Sequence, residues 1–483
     1  MRVCLLNLPW ELNGRDGIRA GCRFPNLTPR RTNRYVPFPF LLAHTASYLE
    51  SRGVEVLLID GCAERCTPHS MAQRIAEFAP DLIVAETSTT SLVHDKQQLV
   101  ALAKLNPTAR IAVYGPHTDV RPEDALTEPA IDFVLQGEPE HTTHALLGVL
   151  QGHTNPADVL GLVWRAGDGG AVVNRRRPAL ADLDALPFPR RTGLPMGNYN
   201  VPGFPSPVAF VYAGRGCPYQ CSFCLWPQTT LQGGFRPRSP ARLVDEMNAI
   251  VQAFPATRSF FFDDDTFNIS RDFMVEFADE LERRGPGLPW GCNARADHWD
   301  REILARLAQV GLFTLRFGLE SGDPEVLGRT GKNLNLDEAR RTLEMSAAAG
   351  IENHIMFVIG LPGETRDSVG RTLRFIASVP YHSVQFSVAT PFPGTRMYRE
   401  AEAKGHLVTH EWEQYSGFDH VVMRTDALTA DEVGQQLARA RRRVYFSLRF
   451  IRRRLRYVRD IRDLPALARK ALRLLTSAGF DRV

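Results

Sequence analysis

Residues 214–224 read GRGCPYQCSFC, and this stretch decides how the rest of the chain is interpreted. Cys217, Cys221 and Cys224 lie shortly after an apolar run that is predicted to be a strand. The Cys-x3-Cys-x2-Cys spacing puts three thiols on one short loop. The flanking glycines allow the backbone turns that such a loop needs. The loop is therefore a candidate site for a small inorganic cluster.

Three thiolates suit an iron–sulfur cluster better than the alternatives do. A 4Fe–4S cube held by three Cys keeps one iron free of protein ligands, and that iron can bind a small molecule through an amine and a carboxylate. A tetrahedral zinc site needs a fourth ligand, and no Cys or His lies nearby in the sequence. Simple buried thiols are the remaining alternative, but three on a glycine-flanked loop make it a poor one. We predict a cluster at Cys217, Cys221 and Cys224.

The chain after Pro207 alternates apolar strands with helices. The pattern predicts six β/α units, which favour an incomplete barrel, open on one side, over the closed eight-fold form. The predicted strands are Val208–Ala213, Ser259–Phe262, Trp290–Ala294, Thr314–Gly318, His354–Gly360 and Val384–Ala389. The predicted helices are Pro240–Ala253, Arg271–Arg284, Arg301–Val310, Leu336–Ala349, Thr365–Ala377 and Thr395–Lys404.

An earlier alternation predicts a parallel, doubly wound sheet, because its strands are apolar on both faces and helices follow them. Ligands of such sheets bind at the carboxyl ends of the strands. Those ends are rich in Gly, Ser and Thr, which suits a large, mostly neutral ligand. No GxGxxG follows the first strand, so a dinucleotide has weak support. The predicted strands are Val3–Leu8, Val54–Asp60, Leu82–Ala85, Arg110–Tyr114 and Ile131–Gln136, and the helices are Phe40–Glu50, Met71–Phe78, Leu92–Leu105 and His141–Leu150.

The composition excludes several classes of protein. Of 483 residues, 44% are hydrophobic and 23% charged, with a net charge of +4, which is typical of a globular chain and gives no sign of a nucleic-acid partner. The eight cysteines are too few and too scattered for a disulfide framework, which favours a reducing cytosol. Residues 1–11 resemble a first strand more than a signal peptide, and no apolar run approaches the ~18 residues of a membrane span. We expect a cytoplasmic location.

The tail of the chain is predicted to be helical and is strongly basic. Arginine is the only charged residue type from 439 to 459. A solvated basic face on a docked helix is the simplest explanation; an acidic substrate, an acidic electron-donor protein and a membrane surface are the alternatives. Apolar residues recur there at helical spacing as one stripe, namely Val444, Leu448, Ile451, Leu455 and Val458.

The Cys motif with an aromatic residue before its last Cys, placed after the first strand of a partial barrel, resembles the radical S-adenosylmethionine superfamily. The first α/β unit resembles the cobalamin-binding domain of the cobalamin-dependent branch. The resemblance implies an α/β chain with a Rossmann-like cobalamin-binding domain at residues 1–165, a linker at 166–204, a partial (β/α)6 barrel at 205–410 and a helical region at 411–483. The linker range is rich in Pro and Arg, and a plain surface loop is its alternative.

The resemblance also implies a reaction. The open iron would bind S-adenosylmethionine, and one electron from the reduced cluster would cleave it to a 5′-deoxyadenosyl radical. Flavodoxin or ferredoxin would supply that electron. With cobalamin as methyl carrier, an unactivated carbon or a phosphorus of a small metabolite would be methylated; dehydration, rearrangement or cyclisation by the same radical is the alternative. A non-catalytic sensor, or a metal-dependent nucleotide-sugar transferase using Asp263 and Asp265, explains the chain less well.

The resemblance implies roles for side chains at the strand ends. Cys217, Cys221 and Cys224 would ligate iron, and Phe223 would pack near the adenine unless it is a core aromatic. The other expected contacts to S-adenosylmethionine are Asp263 and Asp265 to the amine, Arg295 to the carboxylate, Glu320 to the ribose, with Ser321 beside it, and Gly360 at the adenine. Caps and structural ion pairs are the alternatives for the charged residues. The expected cobalamin contacts are Thr87, Ser88, Gly115 and Gly137.

One feature of many cobalamin-binding domains is missing. The sequence has no Asp-x-His-x-x-Gly, whose His ligates cobalt from below. Asp60 stands at a plausible strand end without that His, and His94 and His117 are isolated. We therefore expect no cobalt ligation by a His of this motif. A relic domain that binds no corrin remains the alternative.

Overall fold

The structure is a computed structural model that describes residues 1–19, 25–28, 35–167, 169–418 and 420–456. A seven-stranded sheet forms the first α/β unit and a six-stranded sheet the second. Both predicted units are therefore confirmed.

The first unit is doubly wound, as the sequence predicts. Its elements in chain order are β1 (Arg2–Asn7), β2 (Glu11–Leu12), β3 (Arg15–Arg19), β4 (Pro25–Thr28), α1 (Phe40–Glu50), β5 (Glu55–Asp60), α2 (Gly61–Glu64), α3 (Pro68–Phe78), β6 (Leu82–Glu86), α4 (Leu92–Leu105), β7 (Arg110–Tyr114), α5 (Pro122–Leu126), β8 (Phe133–Leu135), α6 (Pro139–Leu150), β9 (Leu162–Arg165) and β10 (Ala171–Val173). The sheet order is β10-β9-β8-β7-β6-β1-β5, with parallel pairing from β5 through β8. The carboxyl ends of those five strands therefore share one edge.

Some short features of this unit differ from the sequence-based prediction. Strands β2, β3 and β4 form a small antiparallel sheet after β1. Strands β9 and β10 extend the main sheet in antiparallel pairing, so the sheet continues to Val173 and takes in the start of the predicted 166–204 linker. Strand β8 is shorter than the predicted Ile131–Gln136. Strand β10 is half-exposed and only three residues long, which is why its sequence lacks a clear apolar pattern.

The second unit is a partial barrel of six parallel strands in chain order, β11-β14-β15-β16-β17-β18. Its elements are β11 (Val208–Val211), β12 (Gly214–Arg215), β13 (Arg236–Pro237), α7 (Pro240–Ala253), β14 (Ser259–Phe262), α8 (Arg271–Arg284), β15 (Trp290–Ala294), α9 (Arg301–Gln309), β16 (Leu312–Glu320), α10 (Pro324–Arg329), α11 (Leu336–Ala348), β17 (Glu352–Ile359), α12 (Arg366–Ser378), β18 (Ser383–Val388) and α13 (Arg396–Ala403). The predicted six units and open form are confirmed.

Side-chain alternation decides which face of each barrel strand meets the helices. In β16, Leu315, Phe317 and Leu319 are buried beneath the helices, whereas Arg316 and Glu320 on the other face keep some exposure. Helix starts are fixed by side chains that accept backbone N–H bonds, as Ser239, Ser270, Asp300 and Thr365 do. The polar faces of the strands therefore point into the barrel.

The tail adds helices α14 (Ala430–Tyr445) and α15 (Leu448–Arg456). Val433 and Val444 of α14 are buried in the barrel core. The predicted apolar stripe does not stay buried, because the helix breaks between Tyr445 and Leu448, and Leu448 is 72% exposed. Val458 lies outside the described residues. In the described parts of the chain, every helix is too short or too polar to cross a bilayer.

A cluster of buried charges joins the two units. Arg215, at the end of β12, binds Glu138 at 2.9 Å and Glu140 at 2.6 Å. Arg236 adds a contact to Glu138 at 2.9 Å. Arg215, Glu138 and Glu140 are almost completely buried. The carboxylates follow β8, so the carboxyl edge of the first sheet is fixed against the start of the loop that contains Cys217, Cys221 and Cys224, here called the Cys loop.

Removal of Arg215 tests this contact. In Arg215→Ala two carboxylates stay buried without their partner, and breaking a buried ion pair costs about 3–5 kcal/mol. We expect the urea midpoint for unfolding to fall accordingly. The matched control is Arg283→Ala, which breaks the exposed pair with Glu280 and should barely move the midpoint. Equal shifts in the two variants would contradict the role given to Arg215.

Candidate active site

The Cys loop begins where backbone geometry demands glycine. Strand β12 pairs with β13, and the backbone of Cys217 forms an isolated β-bridge with Gly233. Gly216 has φ +83°, and a Cβ there would lie 2.3 Å from the carbonyl oxygen of Gly234. Any side chain at position 216 would push the two segments apart. The glycines that flank the Cys motif therefore fix the loop's first turn.

Side chains and backbone from elsewhere hold the rest of the loop. The Gln228 amide donates to the carbonyl oxygens of Cys221 at 3.1 Å and Cys224 at 2.6 Å. The N–H of Ser222 donates to the carbonyl of Thr330 at 2.7 Å, and the N–H of Met397 donates to the carbonyl of Ser222 at 2.9 Å. The loop is therefore fixed on both sides before any ligand binds.

The three thiols form one electrostatic group. Cys217 and Cys221 are buried and Cys224 is partly exposed. Burial raises the pKa of the Cys217 and Cys224 thiols, and the Asp265 carboxylate and the neighbouring Cys side chains raise the pKa further. Thiolates at this spot therefore need cations nearby, and metal binding requires deprotonated Cys. The irons of a cluster would supply that positive charge, so the donor set fits the group.

The thiols do not surround a single point. Among the described residues, no three His, Cys, Asp or Glu side chains are arranged to hold one metal ion. A 4Fe–4S cube differs from such a site because each thiolate binds a separate iron.

The three acids after β14 have different partners. Asp264 accepts the N–H of Ala213 at 3.0 Å and of Gly214 at 2.8 Å, so it supports the base of the Cys loop. Asp263 points the other way, as strand alternation predicts, and accepts from Tyr35 at 3.0 Å and Asn293 at 3.1 Å. Asp265 is half-buried beside Cys217 and Cys224. Of the three, Asp265 lies nearest the thiols.

Arg295 is already paired within the chain. Its guanidinium donates to the Asp297 carboxylate at 2.6 Å through Nη2 and at 2.9 Å through Nε, and it stacks on Tyr219 with the guanidinium carbon 3.8 Å from the ring centre. The two-pronged contact expected for a ligand carboxylate is thus made to Asp297. The residue instead positions Tyr219 of the Cys loop.

Glu320 lies in a left-handed backbone conformation at φ +65°. Its carboxylate pairs with Lys332 at 3.3 Å, and both side chains are nearly buried. Strained non-glycine residues of this kind concentrate at functional sites. Lys332 could not be identified from the sequence, because it lies in a loop with no motif around it.

Three other predicted residues have structural contacts. The Ser321 hydroxyl accepts the N–H of Asp323 at 3.2 Å. Gly360 has φ +92°, and a Cβ there would lie 2.7 Å from Val433 of α14, so helix packing accounts for this glycine. Phe223 packs against a small apolar cluster that includes Met397 and Leu361.

The carboxyl edge of the first sheet contains a buried polar network. Thr87 donates to Asp95 at 2.7 Å, Ser91 donates to Asp95 at 2.6 Å, and Ser88 shares a hydrogen bond with Ser91 at 2.7 Å. Arg19, carried by β3, forms a buried ion pair with Asp95. The predicted ligand hydroxyls Thr87 and Ser88 are therefore oriented by a carboxylate and an arginine that sequence analysis did not connect with them.

Two glycines at this edge have backbone conformations that other residues rarely adopt. Gly115 has φ +144°, and a Cβ there would lie 2.1 Å from the carbonyl of Thr87. Gly137 has φ +79°, and its N–H donates to Asp119 at 2.6 Å. Asp119 also accepts from Thr230, just after the Cys loop, at 2.5 Å. An edge of glycines and oriented hydroxyls fits the large neutral ligand that the sequence predicts.

The isolated histidines link this edge to the tail. His117 bonds to Asp124 at 3.0 Å and packs against Trp412 at 5.2 Å. His94 pairs with Glu413 at 2.9 Å. Both therefore have structural partners, as expected for histidines outside a cobalt-binding motif.

Comparison with known proteins agrees with this geometry. The model of the radical SAM superfamily matches residues 211–376, and the model of the B12 binding domain matches residues 32–147. An uncharacterized methyltransferase of Pyrococcus horikoshii is 31% identical over 407 residues, covering 83% of this chain and 86% of the relative. The chain belongs to the cobalamin-dependent radical S-adenosylmethionine enzymes. Its cofactors are a 4Fe–4S cluster, S-adenosylmethionine and cobalamin. The prediction of a methyltransferase family is confirmed.

Two further matches describe the range of this family. The anaerobic magnesium-protoporphyrin IX monomethyl ester cyclase of Rubrivivax gelatinosus is 25% identical over 452 residues, covering 92% of this chain and 80% of the relative. The cobalamin-dependent S-adenosylmethionine radical enzyme OxsB, solved with aqua-cobalamin and S-adenosylmethionine bound, has the same fold, with a TM-score of 0.74 at 17% identity over 99% of this chain and 71% of that chain.

The pH dependence of stability tests the environment of Glu364 in this radical S-adenosylmethionine enzyme. Burial raises the pKa of Glu364 to about 8, with the N–H of Gly360 bonded to its carboxylate. The folded state then binds a proton more tightly than the unfolded state, where glutamate titrates at about 4.3. Wild type should therefore lose stability relative to Glu364→Gln as pH rises from about 5 to about 8.

Urea unfolding of both proteins across this pH range measures the effect. Glu325→Gln, at an exposed position, is the control and should differ from wild type equally at every pH. A constant difference for Glu364→Gln as well would show that this carboxyl is not protonated in the folded protein.

Proposed function

We propose that this chain methylates an unactivated carbon, or a phosphorus, of a small metabolite at a site between the two carboxyl edges. The supporting observation is the buried contact of Arg215 with Glu138 and Glu140, which fixes the Cys loop against the edge that contains Gly137. When bound, the cofactors supply reductive cleavage of S-adenosylmethionine and a transferable methyl group. Transfer of the methyl group requires that the cofactors and the substrate are held close together.

Particular residues would hold the cofactors. Cys217, Cys221 and Cys224 would ligate three irons, and Asp265 would hold the amine of S-adenosylmethionine from its place beside the thiols. The chain would bind cobalamin along Thr87, Ser88, Gly115 and Gly137.

The remaining polar residues would orient the bound groups. Asp263, with Tyr35 and Asn293, would line the barrel side of the site. Glu320 would face the ribose from its strained turn, with Lys332 fixing its carboxylate. Arg295 would keep Tyr219 in place and so close one side of the Cys loop to water.

A second candidate is cyclisation or rearrangement by the same radical without methyl transfer. It is favoured by the similarity to the Rubrivivax gelatinosus cyclase, which extends over 92% of this chain. Either reaction takes one electron per cleavage, which we propose is supplied by flavodoxin or ferredoxin in the cytoplasm.

Product analysis separates the two candidates. We expect the reconstituted enzyme, given reductant, S-adenosylmethionine and its substrate, to form S-adenosylhomocysteine and 5′-deoxyadenosine in comparable amounts, because one molecule gives the methyl and another the radical. Chromatography with mass detection measures both. Formation of 5′-deoxyadenosine without S-adenosylhomocysteine would contradict methyl transfer and support the second candidate. Formation of neither product, with the cluster and cobalamin both present, would contradict both candidates.

Cysteine variants test the ligand assignment. Cys217→Ala, Cys221→Ala and Cys224→Ala should each lose most of the bound iron, the visible absorbance of the cluster and the signal of the dithionite-reduced cluster in electron paramagnetic resonance. The control is Cys292→Ala, which removes a fully buried thiol of β15 and should keep all three properties. Full iron content in any of the first three variants would remove that Cys from the ligand set.

A further inference from the structure

Helix α15 and the end of α14 form an exposed basic surface, here called the arginine face. It consists of Arg442, Arg443, Leu448, Ile451 and Arg452, all of which are exposed. Leu448 and Ile451 are 72% and 39% exposed and stand three residues apart, on one side of the helix. The arginine face therefore combines positive charge with apolar side chains in contact with water.

Within the residues that the structure describes, the charges on this face have no acidic partner. Over the described part of the chain, no carboxylate lies within ion-pair distance of Arg442, Arg443 or Arg452. Several other exposed arginines of the barrel differ in this respect, as Arg283 and Arg329 show by pairing with Glu280 and Glu325. The arginine face is thus complementary to an anionic partner.

The inner side of α15 is anchored to the barrel. Arg449 donates to the carbonyl of Ala377 and, at 2.8 Å, to that of Val379. The ring of Phe450 packs against Tyr445 at 5.3 Å. These contacts hold the helix so that Leu448 and Ile451 face outward.

The position of α15 excludes two of the partners that the sequence left open. Ala377 and Val379 precede β18, so α15 lies at the amino ends of the barrel strands. The Cys loop follows β11 and lies at the carboxyl ends. A donor protein or a substrate bound to α15 would have the barrel between itself and the thiols. Neither an electron donor nor an acidic substrate therefore suits the arginine face.

We propose that the arginine face binds the surface of an anionic lipid bilayer. Leucine and isoleucine exposed on α15, with arginines on α15 and at the adjoining end of α14, suit a membrane interface, in which the apolar side chains enter the headgroup region and the cations meet lipid phosphates. A nucleic-acid partner would use the charges but gives no reason for exposing Leu448 and Ile451. This inference does not rest on the proposed reaction.

Vesicle co-sedimentation of the full chain tests the proposal. Wild type should bind vesicles of phosphatidylcholine with phosphatidylglycerol, should not bind pure phosphatidylcholine, and should be released by salt. Arg442→Glu/Arg443→Glu/Arg452→Glu should weaken binding at least about a hundredfold, since each arginine near an anionic surface contributes about fivefold. Leu448→Ser should weaken it severalfold with the charge unchanged.

The control is Arg301→Glu/Arg329→Glu/Arg399→Glu, which makes the same change in net charge with exposed arginines in segments that follow the carboxyl ends of barrel strands. This variant should keep most of the vesicle binding. Equal loss in both triple variants, or no binding of wild type to anionic vesicles, would overturn the proposal. Binding to heparin without binding to vesicles would also overturn it and would indicate a polyanionic macromolecule. Unchanged thermal unfolding of each variant establishes that binding, not folding, has changed.

Discussion

The buried charges of Arg215, Glu138 and Glu140 are the constraint on which the site depends. Burial alone would raise the pKa of Glu138, but Arg215 and Arg236 outweigh it and lower the pKa. Glu140 has one partner fewer, and burial raises its pKa. Because desolvation offsets much of the attraction, such a cluster adds little net stability compared with apolar packing. The cluster instead fixes the relative orientation of the two units, since the charge pairs form in only one alignment.

The charged residues that fix this alignment lie next to both proposed cofactor sites. Arg215 stands two residues before Cys217, and Glu138 directly follows Gly137. The hydrogen bond between Thr230 and Asp119 repeats the connection after the Cys loop. The loop is thus attached to the first sheet at both of its ends. A shift of either unit would have to break buried polar contacts, so the separation of the two edges is set by the protein before ligands arrive.

Local features of this molecule could be predicted from sequence, and long-range charge pairs could not. The helices Leu92–Leu105, Pro240–Ala253 and Arg271–Arg284 match their predicted bounds, because apolar periodicity and caps are local properties. The opposite orientation of Asp264 also follows from strand alternation. In contrast, Arg19 pairs with Asp95 across 76 positions and Arg215 with Glu138 across 77. No pattern in the sequence joins such residues until the strands are placed.

Gly360 meets a packing requirement that its sequence context does not reveal. The sequence suggests a backbone approach to adenine, and the structure also places Val433 of α14 where a Cβ would be. The packing of α14 is invisible at this position in the sequence because the two residues lie far apart in the chain. Arg295 gives the same lesson, since its two-pronged partner, Asp297, is only two residues away. The neighbours of a glycine or an arginine at a strand end must therefore be known before a ligand contact is assigned to it.

The field around the thiols is uneven, and this unevenness gives the site a direction. Lys332 interacts electrostatically with Cys221 and Cys224 and Arg295 with Cys221, whereas Asp265 interacts with Cys217 and Cys224. The two cations stabilise the negative charge of thiolates, and the carboxylate repels it. A ligand with a positive group is therefore favoured next to Asp265.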